Sequence, residues 1–486
     1  MNYPIVFKTL GRVLQFEGGF LLLPLLVSLI YRESTWPVWL IAAVAVFVCG
    51  FFLSRLKTKR AGLSVRDGSI IVGLSWIILS LAGAIPFTVI GDIPYFPDAL
   101  FETISGFTTT GASILNDIEA LHHSSLFWRS FTHWIGGMGV IVFVLVFLPL
   151  TGSSSIHLLQ AESPGYSVER IVPKLKDTAR NLYVIYILLT GLEIVLLAAA
   201  RMPLFDNFCI TFGTVGTGGF GVLNSSIAAY TPLQQNIITA FMILSAVNFA
   251  VYFAILSRRP KDIFANEEVR LYLLILAIAT TVITLTLVGY NPTGERFYDT
   301  PGEAVQQALF QAASIMTTTG YGTTDFNLWP ELSRSILVLL MFIGACAGST
   351  GGGLKVSRLI IMIKDTHRKL VRLYHPHEIY KIRMNGKVLR PEVVQNAHAF
   401  LSFYVILVGI STALISIDGF DFTTNFTAVA ASINNIGPGL NAVGPAANFA
   451  DFSTFSKMIL AIDMLFGRLE LFPMLILFHP ASWRPH

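Results

Sequence analysis

Charged residues are scarce in this sequence. Of its 486 residues, 13% are Asp, Glu, Lys or Arg and 53% are hydrophobic, whereas an ordinary soluble domain carries about 25% charged residues. The composition therefore excludes that class and indicates a membrane protein. Apolar runs recur along the whole chain, and many approach the length of about 20 residues that a helix needs to cross a bilayer.

Cysteines are also few. The three in the chain, Cys49, Cys209 and Cys346, lie far apart in apolar or membrane-edge segments. Their number and spacing are incompatible with a disulfide framework or a CxxC metal site, so we expect structural thiols. We expect no cleavable signal peptide either, because no small-residue cleavage pattern follows the first apolar run and further runs continue at once.

The apolar runs predict ten membrane spans. They cover residues 18–31, 36–53, 69–89, 126–150, 181–200, 232–256, 271–290, 335–363, 398–417 and 456–479.

The connections between these spans fall into two sets of opposite charge. One set holds 22 Lys or Arg against 10 Asp or Glu and comprises residues 54–68, 151–180, 257–270 and 357–397. The other holds 3 basic against 14 acidic residues and comprises residues 90–125, 201–231, 291–334 and 418–456. Because cytoplasmic connections are rich in Lys and Arg, we expect the basic set and both termini to face the cytoplasm. The acidic set would then form an outer rim that attracts cations.

The four acidic connections share one anatomy. Each contains a semi-apolar run that is too short to span and then breaks at glycine, in the segments "FETISGFTTTGAS" (101–113), "FDNFCITFGTVGTGGFG" (205–221), "EAVQQALFQAASIMTTTGYG" (303–322) and "DFTTNFTAVAASINNIGPG" (421–439). Their central glycines are Gly111, Gly219, Gly320 and Gly437, at intervals of 108, 101 and 117 residues. This spacing predicts a fourfold internal repeat.

The predicted fold is an all-α polytopic membrane protein in which two N-terminal helices precede four helix, pore loop, helix repeats around one central pore. The two extra helices occupy residues 1–60. The repeats occupy residues 61–165, 166–262, 263–390 and 391–486, and the third also carries a glycine-rich interruption and a basic cytoplasmic segment.

Non-helical backbone at membrane depth must be buried in protein or line a water-filled cavity, so four such loops imply a shared pore. An extended Thr-Thr-Thr-Gly run can present carbonyl and hydroxyl oxygens to one axis, and oxygen rings of this kind replace the hydration shell of K⁺. Residues 318–322, Thr-Thr-Gly-Tyr-Gly, are nearest to the TVGYG pattern of potassium channels. The alternative is that these small residues only let membrane helices pack closely.

The predicted span 335–363 is interrupted by "GACAGSTGGGLK" (344–355), which we call the glycine loop. It should be unwound and lie across the pathway on the cytoplasmic side as a movable barrier; the alternative is a packing kink. Arg468 lies inside the last predicted span, where arginine usually faces a cavity or a partner. It could pair with carbonyls of the glycine loop, form a salt bridge with Asp463 or Glu470, or extend to the interface.

Five strings together resemble the bacterial TrkH/TrkG potassium-uptake proteins, within the superfamily that includes KtrB. They are "SGFTTTGAS", "HWIGGMGVIV", "GACAGSTGGGLK", "NNIGPGLN" and "MLFGRLE". The resemblance covers essentially the whole chain. It implies a ten-helix subunit that transports K⁺, sits as a homodimer in the lipid bilayer of the bacterial inner membrane, and is controlled by a cytosolic nucleotide-binding subunit of the TrkA type. No nucleic-acid partner is expected.

The resemblance also implies the site residues. The K⁺ filter would comprise Thr109, Thr110, Gly111, Thr217, Gly218, Gly219, Thr318, Thr319, Gly320, Asn435, Ile436 and Gly437. The gate would comprise Gly348, Ser349, Thr350, Gly351, Gly352, Gly353, Lys355 and Arg468. The loops depart from TVGYG, since Gly218 replaces a threonine and Pro438 follows the fourth glycine. We therefore expect imperfect discrimination against Na⁺ and similar behaviour of Rb⁺ and K⁺.

Three functions compete on the sequence alone. The leading one is channel-like movement of K⁺ down its electrochemical gradient. A symporter that couples K⁺ to H⁺ or Na⁺ is the first alternative, although paired intramembrane carboxylates are not evident. His133 and Ser349 raise a membrane-embedded hydrolase as a distant alternative, but no GxSxG context, orienting acid or metal-ligand cluster accompanies them. We expect no enzyme.

Overall fold

The computed structural model describes residues 2–57, 64–139, 175–249, 251–252, 266–290, 296–377 and 380–484. Within these ranges the chain is mostly helical, which confirms the predicted all-α class. One short antiparallel hairpin is present in the described part, where β1 (Arg383–Met384) pairs with β2 (Lys387–Val388). The predicted connections 151–180 and 257–270 lie mostly outside the described residues.

The N-terminal unit consists of α1 (Tyr3–Phe20), α2 (Leu22–Ile30) and α3 (Trp36–Ser54). Helices α1 and α2 form one 28-residue apolar stretch, so the predicted span 18–31 began too late. The first half of this stretch contains polar residues, among them Lys8, Arg12 and Glu17, so it does not stand out as an apolar run in the sequence. Glycines let α1 and α3 touch: a Cβ built on Gly50 would lie 2.5 Å from the Gly11 carbonyl oxygen.

Four groups of helices follow, each with a long first helix, a short helix and a second helix. The first group is α4 (Val65–Ile90), α5 (Phe96–Phe107) and α6 (His123–Gly137), and the second is α7 (Leu175–Ala199), α8 (Leu204–Gly216) and α9 (Pro232–Ser245). The third is α10 (Glu267–Leu287), α11 (Pro301–Met316) and α12 (Glu331–Ile343), continued by α13 (Val356–Tyr374). The fourth is α14 (Pro391–Ile415), α15 (Phe422–Ile433) and α16 (Thr454–Arg468), continued by α17 (Phe472–Phe478).

The four short helices have 12, 13, 16 and 12 residues, which is too few to cross a bilayer. Two of them begin at side-chain caps that satisfy otherwise unpaired N–H groups. Thr300 accepts from Glu303 N at 3.2 Å at the start of α11, and Asp421 accepts from Thr424 N at 3.2 Å at the start of α15. All four end at the glycine-containing loops.

Six helical stretches in the described ranges are long and apolar enough to span a membrane. They are Tyr3–Ile30, Trp36–Ser54, Arg66–Ile90, Arg180–Ala199, Glu267–Leu287 and Pro391–Asp418.

The second helix of every group ends well before the length of a full membrane span. Helices α6, α9, α12 and α16 have 15, 14, 13 and 15 residues and end at Gly137, Ser245, Ile343 and Arg468. The sequence predicted an early end only in the third group. Residues 140–150 of the predicted span 126–150 and residues 253–256 of the predicted span 232–256 lie outside the described residues. The prediction was wrong for span 456–479, because Glu470 and Leu471 adopt left-handed backbone conformations with φ of 55° and 64°. Apolar side chains on both sides of that break conceal it in the sequence.

Glycines bring two of these second helices against the ends of the short helices. A Cβ built on Gly136 would lie 1.9 Å from the carbonyl oxygen of Phe107, the last residue of α5. A Cβ built on Gly467 would lie 2.0 Å from the carbonyl oxygen of Ile433, the last residue of α15. A side chain at either position would push the short helix away, so these glycines set where the loops meet.

Candidate functional site

The loops after the four short helices share one backbone conformation. Thr109, Thr217, Thr318 and Asn435 lie in the left-handed region with φ of 54°, 55°, 60° and 54°. Two residues further on, the glycines predicted as central have φ of 80°, 85°, 83° and 98°. Left-handed conformations are uncommon in residues other than glycine. Their recurrence at matching positions of four different sequences makes the loops structurally equivalent.

Each loop turns one amide back toward its own short helix. The N–H groups of Thr110, Gly218, Thr319 and Ile436 donate to the carbonyl five residues earlier, at 2.9, 2.7, 2.9 and 2.9 Å. These bonds satisfy the amides without using the carbonyls of the same four residues. In the described part of the chain, no hydrogen bond ends on those four carbonyl oxygens, and a buried carbonyl that lacks a partner is a ready ligand for a cation.

The four loops close into a ring, which we call the loop ring and define as residues 109–111, 217–219, 318–320 and 435–437. Its central glycines abut the carbonyl of the next loop. A built Cβ on Gly111 would lie 2.1 Å from Gly218 O, one on Gly219 would lie 2.1 Å from Thr319 O, and one on Gly320 would lie 1.9 Å from Ile436 O. Gly437 completes the cycle, 2.8 Å from Thr110 O by the same measure. All twelve predicted filter residues are therefore brought together.

Above the central glycines lies a cavity of about 200 Å³. All four loops contribute to its lining through Gly111, Gly219, Gly320 and Gly437. The acidic connections predicted to face outward supply the remaining wall together with Arg129 of α6, so the loop ring is reached from that side.

Several polar side chains of the loop ring form hydrogen bonds with neighbouring protein groups. The hydroxyls of Thr110 and Thr319 pair with those of Thr108 and Thr317, each at 2.8 Å. The fourth loop has asparagine in place of threonine, and Asn435 Nδ2 donates to Met464 O at 2.9 Å. Within the described residues, the backbone carbonyls and Asn435 Oδ1, rather than the hydroxyls, are consequently the loop-ring oxygens that have no protein hydrogen-bond partner.

A buried ion pair that sequence reasoning missed holds the first two loops together. Arg129 Nε donates to Glu102 Oε1 at 2.5 Å, and the two side chains are 2% and 0% exposed. Glu102 also accepts from Ile114 N at 3.0 Å, while Arg129 donates to Gly221 O at 2.9 Å. In the sequence, this pair could have been inferred from the opposite charges of Glu102 and Arg129, which lie in otherwise apolar segments.

His133 connects the segments that carry the first two loops of the loop ring. It is fully buried, its Nδ1 lies 2.7 Å from Gly106 O, and its Nε2 accepts from Phe220 N at 3.2 Å. Both ring nitrogens are thus used to join the first two loops. Ser349, the other residue that suggested a hydrolase, lies in the glycine loop and donates to Cys346 O at 2.7 Å.

The glycine loop is non-helical, as predicted, between the end of α12 at Ile343 and the start of α13 at Val356. It lies against the face of the loop ring opposite the cavity. Gly352 N donates to Thr318 Oγ1 at 2.7 Å, and a Cβ built on Gly352 would lie 2.4 Å from Asn434 O. Thr350 Oγ1 donates to Ser245 O at 3.1 Å, at the break after α9. The glycine loop therefore contacts three of the four groups directly.

Arg468 lies at the same level and binds backbone carbonyls. Its guanidinium donates to Thr350 O at 2.8 Å, Gly136 O at 2.5 Å and Gly137 O at 3.0 Å, and it reaches Thr109 Oγ1 at 3.4 Å. It thus joins the glycine loop to the first group and to the loop ring.

The two carboxylates proposed as salt-bridge partners of Arg468 are occupied elsewhere. Glu470 pairs with Arg358 and, at 3.5 Å, with Lys355. Asp463 accepts from Ser411 at 2.8 Å. Of the predicted gate residues, Lys355 therefore belongs to an ion-pair cluster at the end of the glycine loop.

Long apolar helices that enclose four half-length helices and one ring of converging loops define an integral membrane protein of the ion-transport class. The family model of TrkH, described as a cation transport protein, matches residues 38–484. The chain belongs to this family, which confirms the resemblance seen in the sequence and the expectation that it is not an enzyme.

Individual relatives match over the whole chain. The Trk system potassium uptake protein TrkH of Salmonella typhimurium is 35% identical over 490 residues, covering 100% of both chains. The Trk system potassium uptake protein TrkG of Escherichia coli is 35% identical over 467 residues, covering 95% of this chain and 94% of its own. The crystal structure of the potassium transporter TrkH from Vibrio parahaemolyticus is similar with a TM-score of 0.89, at 34% identity and 100% coverage of both chains.

Proposed function

We propose that this protein takes up K⁺ across the bacterial inner membrane, as a channel-like pathway through the loop ring. The observation that carries the proposal is the closed cycle in which each central glycine abuts the carbonyl of the next loop. The carbonyls of Thr110, Gly218, Thr319 and Ile436 are equivalent in conformation and accept no hydrogen bond within the described residues. The similarity to potassium uptake proteins supports K⁺ as the transported ion.

Carbonyl rings replace water around a dehydrating cation. The four short helices end at the loop ring, so the negative ends of their dipoles add to the attraction for a cation there. The acidic outer connections would raise the local cation concentration at the cavity. We assign all twelve residues of the loop ring to the filter on these grounds, and keep the proposed division into four repeats.

We further propose that the glycine loop and Arg468 form the gate. The loop covers the inner face of the loop ring, and the guanidinium bonded to Thr350 O places a positive charge next to Thr109. A fixed positive charge repels K⁺ more strongly in a narrow passage than in bulk water, because the effective dielectric constant is lower.

A second candidate function, symport of K⁺ with H⁺, is favoured by one observation. Glu17 in α1 is 2% exposed, and neither carboxylate oxygen has a hydrogen-bond partner within the described residues. It faces a small apolar cavity lined by Phe16, Leu79 and Phe107. An ionisable side chain buried in a membrane helix can serve as a proton-binding site in a coupled transporter.

One flux experiment separates the two functions. Purified protein in liposomes loaded with K⁺ should take up Rb⁺ when the membrane potential alone is imposed, and an added pH gradient should leave the initial rate unchanged. Uptake that requires the pH gradient, and that is abolished in Glu17→Gln, would instead establish symport. The controls are liposomes without protein, and liposomes with protein in which an ionophore has abolished the membrane potential.

The assembly we propose is a homodimer with both termini in the cytoplasm, controlled by a nucleotide-binding subunit of the TrkA type. The name of the relatives, a Trk system, supports a partner. The basic helix α13 supports a cytoplasmic docking face: Lys369 is 64% exposed, and it and Arg368 surround Asp365. Anionic lipid headgroups are the alternative partner for these charges.

The docking face is tested by binding. Neutralising Arg368, Lys369 and Arg372 together should weaken pull-down by a TrkA-type ring, while neutralising Arg55 and Lys57 at the end of α3 should not. Unchanged pull-down together with weaker binding to anionic vesicles would show that these basic residues bind lipid headgroups instead of the TrkA-type subunit.

A further inference from the structure

Glu268 binds the backbone on both sides of residues 348–353, the glycine-rich part of the glycine loop. It is the second residue of α10 and is 3% exposed. A single carboxylate oxygen, Oε1, accepts from Ala347 N at 2.7 Å and from Ser357 N at 3.1 Å. Ala347 directly precedes the glycine run, and Ser357 is the second residue of α13, which follows it. One side chain thus bridges the two segments, next to the backbone bond from Val356 N to Ala345 O at 3.1 Å.

The glycine loop has few anchors of its own. Residues 348–353 include four glycines, which add backbone freedom and no side-chain packing. Its closed shape must therefore be imposed by neighbours. On one side, Arg468 binds Thr350 and Glu470 pairs with Arg358. On the other side, Glu268 is the acceptor that draws the ends together.

The residue before Glu268 connects it to the cytoplasmic hairpin. Glu267 N donates to Asn385 Oδ1 at 2.8 Å, and Asn385 N donates to Glu267 Oε1 at 3.0 Å. Lys364 in α13 pairs with Glu267 and donates to Arg383 O at 2.7 Å. The start of α10, the hairpin and α13 consequently form one hydrogen-bonded unit that ends at the glycine loop.

We infer that Glu268 is a positioning residue that holds the glycine loop closed, and that the Glu267–Asn385 pair joins this clamp to the hairpin. The inference rests on the proposed function, in which the glycine loop closes the pathway. A displacement of the hairpin acts on Glu267 and, through the adjacent peptide, on the carboxylate that gathers Ala347 and Ser357. Opening then requires that Glu268 release at least one of these amides.

The first test measures basal Rb⁺ uptake in liposomes without a regulatory subunit. Glu268→Ala should raise uptake about tenfold, the size expected from losing hydrogen bonds to a charged acceptor. Glu268→Gln keeps an oxygen that accepts from both amides and should stay near the parent, which a general loss of packing would not predict. Glu392→Ala is the matched control, because Glu392 is the exposed second residue of α14. Basal uptake of Glu268→Ala equal to the parent overturns the inference.

The second test does not depend on ion flux. Ser349→Cys, in a background without Cys49, is labelled with a water-soluble methanethiosulfonate; Cys209 and Cys346 are buried. Glu268→Ala should accelerate labelling about tenfold relative to Glu268→Gln. Faster labelling without any rise in uptake supports the clamp and rejects the glycine loop as the gate. Unchanged labelling and uptake, in a protein whose partial loop deletion does conduct faster, reject the clamp and leave the gate intact.

A surface variant keeps the test decisive if Glu268→Ala does not fold. Asn385→Ala removes the side-chain acceptor of Glu267 N from an exposed hairpin. It should raise both basal uptake and labelling of Ser349→Cys by about threefold, less than Glu268→Ala, because one neutral hydrogen bond is lost. No change in either measurement overturns the link between hairpin and glycine loop.

Discussion

Asn435 Nδ2 donates to Thr110 Oγ1 at 2.9 Å and thereby joins the last loop of the ring to the first, 325 residues earlier. The same amide group reaches Met464 O in α16. One side chain therefore joins the first and the last loop of the loop ring and holds them against α16.

Asn435→Ala should lower the ratio of K⁺ to Na⁺ permeability and destabilise the protein by about 1–3 kcal/mol, because a buried hydroxyl and a carbonyl lose their donor. The measurements are bi-ionic flux ratios and thermal unfolding in detergent. Asn441→Ala is the control, since Asn441 has the same φ of 54° but is exposed and lies outside the loop ring. If both variants keep the parental ratio, Asn435 does not close the ring.

Gly320→Ser should reduce the K⁺ to Na⁺ permeability ratio about tenfold, a difference of roughly 1.4 kcal/mol. The added Cβ would lie 1.9 Å from Ile436 O, so that carbonyl must move. Gly302→Ser is the control, because a Cβ there meets nothing within 4 Å. If correctly folded Gly320→Ser protein keeps the parental K⁺ to Na⁺ permeability ratio, the loop ring is not the selectivity filter.

Deleting part of residues 348–353, or replacing Arg468 by Ala, should each raise Rb⁺ uptake in vesicles without a regulatory subunit. The two changes should be less than additive, because Arg468 binds Thr350 O within the same loop and neighbouring residues couple. Arg201→Ala, at an exposed turn, should leave uptake unchanged. Normal insertion with parental uptake in both variants would make the glycine loop a packing kink and Arg468 a structural residue.

Glu102→Gln should lower the free energy of unfolding by about 3–5 kcal/mol, since it leaves the buried Arg129 guanidinium without its counter-charge. Glu331→Gln should cost less than about 1 kcal/mol, because the Glu331 side chain of the Glu331–Arg334 pair is 76% exposed. Thermal unfolding of the two variants in the same detergent makes the comparison. Equal shifts would show that the Glu102 pair does not hold the first two loops.

The cap of α15 should give stability a defined pH dependence. The Thr424 hydroxyl donates to the Asp421 carboxylate and holds its pKa below the ordinary value of 3.8. Its stabilisation is therefore present above about pH 4 and is lost as the pH falls through the lower, folded-state value.

Asp421→Asn keeps an acceptor at the cap but removes the charge. The stability difference from the parent should be constant from about pH 5 to 8 and shrink below about pH 4, as measured by thermal unfolding across that range. Asp451→Asn, at an exposed position, is the control. If the stability difference between Asp421→Asn and the parent stays the same at low pH, the charge of Asp421 does not contribute to the cap.

Features that depend on composition and residue spacing could be predicted from the sequence. The charge bias, the apolar runs and the glycine intervals predicted a helical membrane protein with four loops in register, and the left-handed residues two before each central glycine fall where that register places them. The unwound glycine loop was predictable because each glycine disfavours a helix by about 1 kcal/mol relative to alanine, and four of the six residues 348–353 are glycine.

Features that depend on tertiary partners were not predictable. Glu470 and Leu471 break the last span without any glycine or proline at those positions, because Glu470 pairs with residues of another group. Glu102 and Arg129 are 27 residues apart and meet only when two helices pack. Glu268 could be recognised as a helix N-terminal acid, but its acceptance of two amides near residue 350 required the folded chain.

Because the four loops belong to one polypeptide and differ in sequence, the symmetry of the loop ring is only approximate. In a ring made of four identical subunits, one codon change alters all four positions at once. Here a single change alters one quarter of the ring, as the glycine at position 218 and the proline at 438 already do. In the proposed pathway, ion preference can therefore evolve in small steps, one loop at a time, while the other three loops stay unchanged.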